Sequence, residues 1–214
     1  MEFSQYNVAN NAVDSLLKFL KPYHPSLPLS VKSLKETPRS VDVKLLNNGQ
    51  YAHLGLQQGL LIKSEKGFAH RVDKVLIDVF VDGVKIYNSV REESWPIMAR
   101  GVDFKNSKPF VVGIFYGASK PDPIEEYLRD YMDEMKDLLA NGITILGRCY
   151  EFEVRFYLGD APARAYSKKT SGHTSKAGCE RCDQEGGYED NTVTYSTTVG
   201  AERTDDSFNK SEGC

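Results

Sequence analysis

Two aspartates, Asp82 and Asp160, stand directly after segments that have the pattern of buried β-strands. If the two strands are neighbours, both carboxylates lie at one sheet edge, within the span of one or two divalent cations. Oxygen ligands of this kind favour magnesium or manganese. Such ions activate an attacking oxygen and stabilise the charge that develops on a phosphodiester. The alternative is structural, with Asp82 beginning an Asp-Gly turn and Asp160 capping a helix ahead of Pro162.

A second group with metal-ligating chemistry consists of His173, Cys179 and Cys182. The cysteines have Cys-x-x-Cys spacing in a glycine-punctuated segment, which lets two thiolates face one zinc ion. A structural zinc site uses four ligands and three are visible, so a zinc site and a metal-free segment both remain open. Cys214 is too distant in sequence to be assigned as the fourth ligand. Redox use of the pair is disfavoured because no thioredoxin-like strand-to-helix pattern surrounds it.

Positive charge surrounds this segment and predicts contacts with nucleic-acid phosphates. Between residues 164 and 183, five cations oppose Glu180 and Asp183, which leaves a net charge of +3. The five cations are Arg164, Lys168, Lys169, Lys176 and Arg181. The same composition also fits an ordinary solvated loop.

The elements that must position these residues are mostly strands. A β-branched run over residues 75–82, followed by Gly83, predicts a hairpin with residues 84–87. Residues 110–116 are apolar on both faces, which is typical of a strand in the middle of a covered sheet. Residues 149–158 alternate between charged and apolar side chains and predict a further strand.

One long helix is predicted between the last two of these strands. It follows Pro121 and Pro123, has apolar residues at 3-4 spacing and closes at Asn141-Gly142. Its acidic face, which includes Glu134, is expected to be solvated. The order strand, strand, strand, helix, strand predicts a mixed α/β sheet, which is how a ribonuclease H-like fold begins.

The composition changes along the chain in steps that predict four segments. Residues 1–70 form a helical and proline-rich region, residues 71–166 a compact core whose element order begins as a ribonuclease H-like fold does, residues 167–187 a zinc-knuckle-like His/Cys insertion, and residues 188–214 a flexible tail.

Composition excludes several classes of protein. The 214 residues carry 27 basic and 30 acidic side chains, a net charge of −3, which excludes a globally basic nucleic-acid-binding chain. A hydrophobic fraction of 40% is enough to build a packed core. No apolar run approaches the roughly 18 residues of a membrane-spanning helix, and no signal peptide is recognisable. A reducing compartment, nuclear or cytoplasmic, fits the cysteine usage.

An ordered set of motifs resembles the transposase of CACTA (En/Spm-like) DNA transposons, in the animal branch of transposase domain-containing proteins. The resemblance covers roughly residues 7–208. The motifs are Val81-Asp82-Gly83-Val84-Lys85-Ile86-Tyr87-Asn88-Ser89, Trp95-Pro96-Ile97, Pro109-Phe110-Val111-Val112-Gly113-Ile114, Lys120-Pro121, Gly159-Asp160-Ala161-Pro162-Ala163-Arg164, Gly172-His173 and Gly178-Cys179-Glu180-Arg181-Cys182.

Similarity to this family implies a ribonuclease H-like core of the DDE/D type, which cuts and joins DNA at transposon ends with two divalent metals. Asp82 matches the family's first acidic residue and Asp160 its second. His173, Cys179 and Cys182 match the stretch in which the family holds zinc. The third acid belongs on a helix well after that stretch, and no helical pattern follows it here, so we expect this chain to be inactive by itself.

Three interpretations follow. The first is a transposase-derived protein of DNA recombination, with magnesium or manganese and zinc as cofactors. Its partners would be DNA and either a second copy or another transposase, with no membrane partner. The second is a non-catalytic DNA- or protein-binding module supported by a structural zinc. The third is a chain with an open sheet edge that does not fold stably.

Overall fold

The protein is described from a computed structural model. The structure describes residues 8–35, 40–69, 72–86, 91–105, 107–172, 174–190, 192–198 and 200–206. The chain divides into two compact units, Met1–Asp42 and Val43–Cys214. This division lies ahead of residue 70, where the sequence pattern placed the end of the N-terminal region.

The first unit contains two helices, α1 (Asn10–Leu20) and α2 (Val31–Leu34). Val13 and Leu17 are buried on one side of α1 and pack with Val31. The short amphipathic helix that the sequence predicted in this region is therefore confirmed.

The second unit is a mixed α/β structure, as predicted. In chain order its elements are β1 (Lys44–Leu46), β2 (Gly49–His53), α3 (Leu56–Glu65), β3 (Lys74–Val81), β4 (Glu93–Gly101), β5 (Phe110–Gly117), α4 (Ile124–Asn141), β6 (Ile143–Ile145), β7 (Arg148–Leu158), α5 (Ala161–Lys168), β8 (Gly187–Glu189) and β9 (Thr192–Thr194). The predicted strands over 110–116 and 149–158 and the long helix are confirmed as β5, β7 and α4.

Seven strands form one sheet in the order β1-β2-β5-β4-β3-β7-β6. Among the strand pairs of this sheet in the described residues, β3–β7 is parallel and the others are antiparallel. The connection from β5 through α4 to the β6–β7 hairpin therefore carries the chain to the far side of β3. As a result, β3 lies between β4 and β7 and is buried along most of its length.

The sheet has two different faces. The inner face contains residues such as Val75, Ile77, Val79, Ile97 and Ala99, all fully buried. They join one core cluster with apolar side chains of α3, α4 and α5. The outer face includes the alternate positions, among them Leu76, Asp78 and Phe80 of β3, Met98 and Arg100 of β4, Val111, Ile114 and Tyr116 of β5, and Glu153, Phe156 and Leu158 of β7.

The predicted hairpin of residues 75–82 with 84–87 is wrong. The antiparallel partner of β3 is β4, and Val84 instead forms an isolated β-bridge to Ser94 of that strand. The pattern of β4 was hidden by Pro96, which lacks an N–H and normally argues against an interior strand. The β4–β5 register shifts between Ile97 and Met98, next to this proline.

The segment after residue 186 also differs from the prediction of a flexible tail. Strands β8 and β9 pair as a short hairpin, and the backbone of Cys182 forms an isolated antiparallel β-bridge with Glu202. Thr192, Val193 and Thr194 are β-branched residues that favour this extended pairing. Residues 207–214 lie outside the described residues. Among the described helices, none is both long and apolar enough to span a membrane.

Candidate functional site

The parallel pairing of β3 and β7 places the two predicted aspartates at the same end of the sheet. Phe80 pairs with Leu158, and Asp82 and Asp160 each stand two residues further on. The chains remain close beyond the strands, because a Cβ atom built on Gly159 would lie 2.8 Å from the carbonyl oxygen of Val81. A side chain at position 159 would therefore separate the two segments.

Both aspartates also have the local structural roles that were the alternative interpretation. Asp82 Oδ1 accepts a hydrogen bond from the Gly83 N–H at 2.8 Å. Asp160 caps α5, and its Oδ1 accepts from the Ala163 N–H at 2.7 Å. Both residues are exposed. Each carboxylate thus has one oxygen in a backbone contact and a second oxygen that is available to a cation.

An aromatic and cationic cluster adjoins Asp82, and sequence reasoning did not find it. The Trp95 ring lies against Gly83, since a Cβ on this glycine would be 2.6 Å from a ring carbon. Tyr166 of α5 packs on Trp95 with ring centroids 5.1 Å apart. The Lys120 ammonium lies 5.8 Å from the Trp95 ring and 5.4 Å from the Tyr166 ring. The Lys120-Pro121 motif is the sequence feature that could have pointed to this cluster.

Helix α5 connects the aspartate end of the sheet to the cysteine segment. Arg164 donates from Nη1 to the carbonyl oxygen of Gly159 at 2.6 Å and from Nε to Glu180 at 3.1 Å. Lys168 also donates to Glu180, at 3.1 Å. Burial raises the pKa of the Glu180 carboxyl, but its contacts with Lys168 and Arg164 outweigh burial and leave the pKa below its usual range.

The two cysteines are held in a tight turn. Their sulfur atoms are 3.3 Å apart, in hydrogen-bond contact. Arg203 Nε donates to the carbonyl oxygens of Cys179 and Cys182 at 3.1 and 3.0 Å, which fixes the backbone of the turn. The pKa of the Cys179 thiol is lowered, first by the backbone N–H of Arg181 and then by Cys182. The turn therefore favours a thiolate.

The remaining predicted zinc ligand, His173, lies outside the described residues, as does Cys214. Within the described ranges, no group of three or more His, Cys, Asp or Glu side chains is arranged to hold a metal ion. The structure therefore does not show the zinc knuckle that the sequence predicted.

The predicted phosphate-binding cations are largely paired. Arg164 and Lys168 share Glu180, and Lys169 pairs with Glu125 at the start of α4. The Lys176 ammonium lies 5.5 Å from the Tyr188 ring. Arg181 is exposed. Glu180 is already counted in the net charge of +3, and the pairing of Lys169 with Glu125 lowers the positive charge of this segment further.

A cleft of about 290 Å³ lies between the end of α5 and the cysteine turn. Its lining includes Lys168, Ser171, Cys179, Arg203 and Asp205. Cys179 thus borders a space that has both cationic and anionic residues in its lining.

A buried carboxylate that the sequence analysis did not single out lies on the outer face of the sheet. The Asp78 side chain is 0% exposed and accepts hydrogen bonds from Arg100 of β4 and Arg155 of β7. Arg155 is the extra residue of an irregularity in β7, where the register to β3 shifts between Ile77 and Asp78. The Arg155 guanidinium lowers the pKa of Asp78.

The acidic face of α4 is not uniformly solvated, contrary to the prediction. Glu134 accepts hydrogen bonds from the backbone N–H groups of Leu56 and Gln57 at 2.6 and 2.8 Å. It also contacts His53 Nε2 at 3.0 Å, and His53 Nδ1 contacts the hydroxyl of Tyr51 at 3.0 Å. Glu134 therefore satisfies the first turn of α3, whose N-cap residue is a glycine.

Comparisons with protein-family models and with curated protein sequences find no match to this chain.

Proposed function

We propose that this chain is a transposase-derived protein with a ribonuclease H-like core, and that Asp82 and Asp160 are two acids of a DDE/D-type divalent-cation site. The observation that carries the proposal is the position of both residues just beyond the neighbouring parallel strands β3 and β7. The strand order β5-β4-β3-β7, with α4 between β5 and β7, supports it further.

The carboxylates fit such a cation in their chemistry. Both are exposed, and each has an oxygen beyond the one that binds its own backbone. When bound, magnesium or manganese would activate an attacking oxygen and stabilise the charge on a DNA phosphodiester. Asp82 and Asp160 would hold the ion, and Lys120 would orient a phosphate near it. With two acids, we expect cation binding without strand transfer by this chain alone.

Manganese binding tests this proposal. We expect Asp82→Asn and Asp160→Asn each to weaken Mn²⁺ binding about ten-fold or more, because each removes one of two anionic ligands. Asparagine keeps the turn and the helix cap, so the fold is retained. Isothermal titration calorimetry with MnCl₂ measures the effect.

Asp133→Asn, an exposed carboxylate on α4, is the matched control and should leave Mn²⁺ binding unchanged. If both site variants bind Mn²⁺ as tightly as the unmodified chain, the two residues do not form a cation site and the proposal is wrong.

The cysteine turn favours a second candidate function, a DNA- or protein-binding module supported by zinc. Two zinc-bound sulfurs in a tetrahedral site are roughly 3.8 Å apart, and the two sulfurs here are separated by 3.3 Å. Backbone N–H groups that lower the pKa of Cys179 also favour metal binding, since the thiolate is the ligand. His173 would be the third ligand.

We expect Cys179→Ser and Cys182→Ser to abolish the visible absorption that Co²⁺ acquires on binding thiolates, while Cys149→Ser leaves it intact. Cys149 is an exposed free cysteine of β7 and serves as the matched control. Absorption spectroscopy during Co²⁺ titration makes the measurement. An equal loss of the Co²⁺ absorption in all three variants, or no such absorption in the unmodified chain, would exclude the zinc site. Zinc binding without Mn²⁺ binding would favour the binding module over the catalytic core.

A further inference from the structure

The Cys179–Cys182 pair has a geometry that suits chemistry other than metal binding. The Cys182 thiol donates a hydrogen bond to the Cys179 sulfur, and the two sulfur atoms are 3.3 Å apart. A disulfide bond is about 2.05 Å long, so these sulfurs, 3.3 Å apart, would have to approach each other by about 1.2 Å to form one. In sulfur separation the pair is therefore close to a disulfide.

The backbone of the turn is held in a way that keeps the two thiols together. Arg203 Nε donates to the carbonyl oxygens of both cysteines. The Arg203 backbone N–H donates to the carbonyl oxygen of Arg181 at 2.8 Å, and the Asp183 N–H donates to that of Ala201 at 3.0 Å. Residues 201–203 are thus bonded along the turn. Groups that are held side by side react as if they were at a very high local concentration.

One of the two sulfurs is accessible to a small molecule. Cys179 is among the residues that line the cleft of about 290 Å³ beside α5, whereas Cys182 is not. Small-molecule sites in proteins begin at roughly 300 Å³, so the cleft has the size for a short peptide thiol. A reagent in the cleft therefore meets Cys179 first, and Cys182 is placed to react second.

The turn differs from the thioredoxin-like context whose absence disfavoured redox use in the sequence. Residues 178–184 contain no helix, so the pair does not stand at a helix start. Oxidation of a dithiol requires contact between the two thiols and access for an oxidant. The turn supplies both without a helix.

We propose that Cys179 and Cys182 form a redox-active dithiol that is oxidised by a small peptide disulfide such as glutathione disulfide. The Cys179 thiol loses its proton and attacks one sulfur of that disulfide, whose S–S bond breaks to release one small thiolate. The Cys182 thiol then loses its proton and attacks the Cys179 sulfur, which breaks the mixed disulfide and releases the second small thiolate. The two protein thiols lose two electrons and two protons, and the small disulfide gains them as two thiols.

Oxidation of this pair has a structural consequence for α5. Glu180 lies between the two cysteines in the chain and accepts hydrogen bonds from Arg164 and Lys168 of that helix. A disulfide would close a ring around Glu180 and so restrain the residue that pairs with α5. The reaction is independent of the cation site at Asp82 and Asp160, and the reduced pair alone could ligate zinc.

Tryptic mapping by mass spectrometry tests the proposal, because trypsin cleaves after Arg181, between the two cysteines. The full chain is treated with glutathione disulfide in the presence of EDTA, which keeps zinc off the sulfurs, and the remaining thiols are trapped with iodoacetamide. A disulfide between Cys179 and Cys182 joins peptide 177–181 to peptide 182–203.

We expect the joined peptides to form at least about ten-fold faster than a mixed disulfide on Cys149, because the pair is held together and Cys149 has no neighbouring thiol among the described residues. Cys149 is exposed and lies on the separate peptide 149–155, so it is the internal control.

Two variants test the order of the steps. Cys182→Ser should accumulate glutathione on Cys179, because no second thiol displaces it. Cys179→Ser should carry about ten-fold less glutathione on Cys182, which does not line the cleft. In concentrated guanidinium chloride the two variants should react alike, because the cleft is lost. Circular dichroism checks that each variant is folded without denaturant.

Two results would overturn the proposal. One is that the joined peptides do not form, or form no faster than the mixed disulfide on Cys149. The other is an equal amount of glutathione on Cys179 and Cys182 in the two folded variants. The Co²⁺ and Mn²⁺ titrations test the zinc and cation sites separately, so failure at either of those sites is distinguishable from failure here.

Discussion

Replacing both Arg100 and Arg155 with methionine is expected to lower the free energy of unfolding by about 3–5 kcal/mol. The reason is the burial of Asp78, whose side chain is 0% exposed and whose hydrogen bonds come from these two residues. Methionine is close to arginine in length but cannot donate a hydrogen bond. The variant would leave an unpaired carboxylate on the buried strand β3.

Chemical denaturation monitored by circular dichroism measures this effect. A triple variant that adds Asp78→Leu should recover most of the lost stability, because it removes the unpaired charge and leaves three apolar side chains. Arg129→Met, which breaks an exposed pair with Glu126, is the control and should cost less than about 1 kcal/mol. If the triple variant were no more stable than the double variant, the loss would come from packing and not from the buried charge.

The cluster also predicts a dependence on pH. The pKa of Asp78 is lowered in the folded protein, so its contribution is fully present above the unfolded pKa of about 3.9 and is lost as the pH falls through the folded value. The triple variant lacks this carboxylate. Its stability should therefore fall less steeply than that of the unmodified chain below about pH 4.

The second large effect is expected for Glu134→Ala, which should lower the free energy of unfolding by about 2–4 kcal/mol. The carboxylate accepts from two backbone N–H groups of α3 and contacts His53. Gly55 at the N-cap of this helix has no side chain that could accept these hydrogen bonds in place of Glu134. The substitution would also release the contact between α4 and α3.

Thermal and chemical denaturation of Glu134→Ala and Glu134→Gln give the measurement, with Asp133→Ala on the exposed side of α4 as the control. Glutamine retains one acceptor oxygen, so Glu134→Gln should lower the free energy of unfolding by less than Glu134→Ala does. Burial raises the pKa of Glu134, but hydrogen bonds from His53, Leu56 and Gln57 leave it lowered overall. The difference between the unmodified chain and Glu134→Gln should therefore shrink below about pH 4.3. A difference that stays constant with pH would show that the charge of Glu134 does not matter.

The sequence predicted the elements whose signals are local. Helix α4 has regular apolar spacing between prolines and a closing Gly142, and β5 is a continuous apolar run, so both were found close to their observed bounds. Strand β4 was missed because Pro96 interrupts its pattern. The short strands β1, β2 and β6 have too few residues for a period to be visible.

The same contrast between local and non-local features applies to the candidate site. That Asp82 and Asp160 each follow a strand could be predicted, because a strand and its end are local features, whereas the sequence left open whether the two strands are neighbours. The pairing of Asp78 with Arg155 joins residues 77 apart in sequence, and that of Glu134 with Leu56 joins residues 78 apart. No local pattern carries such pairings. Neutralisation of the basic residues by Glu180 and Glu125 likewise depends on how α5 packs.

Trp95 is the sole tryptophan of the chain, and it lies against Gly83 beside Asp82. Indole emission depends on nearby charge and on exposure to water, and here the neighbours of the ring include Tyr166, the Lys120 ammonium and the Glu93 carboxylate, which accepts a hydrogen bond from the indole N–H at 3.1 Å. Intrinsic fluorescence excited at the red edge of the protein absorption therefore originates from one point at the end of the sheet. The fluorescence of Trp95 can therefore report changes at Asp82 without an added label and without emission from a second tryptophan.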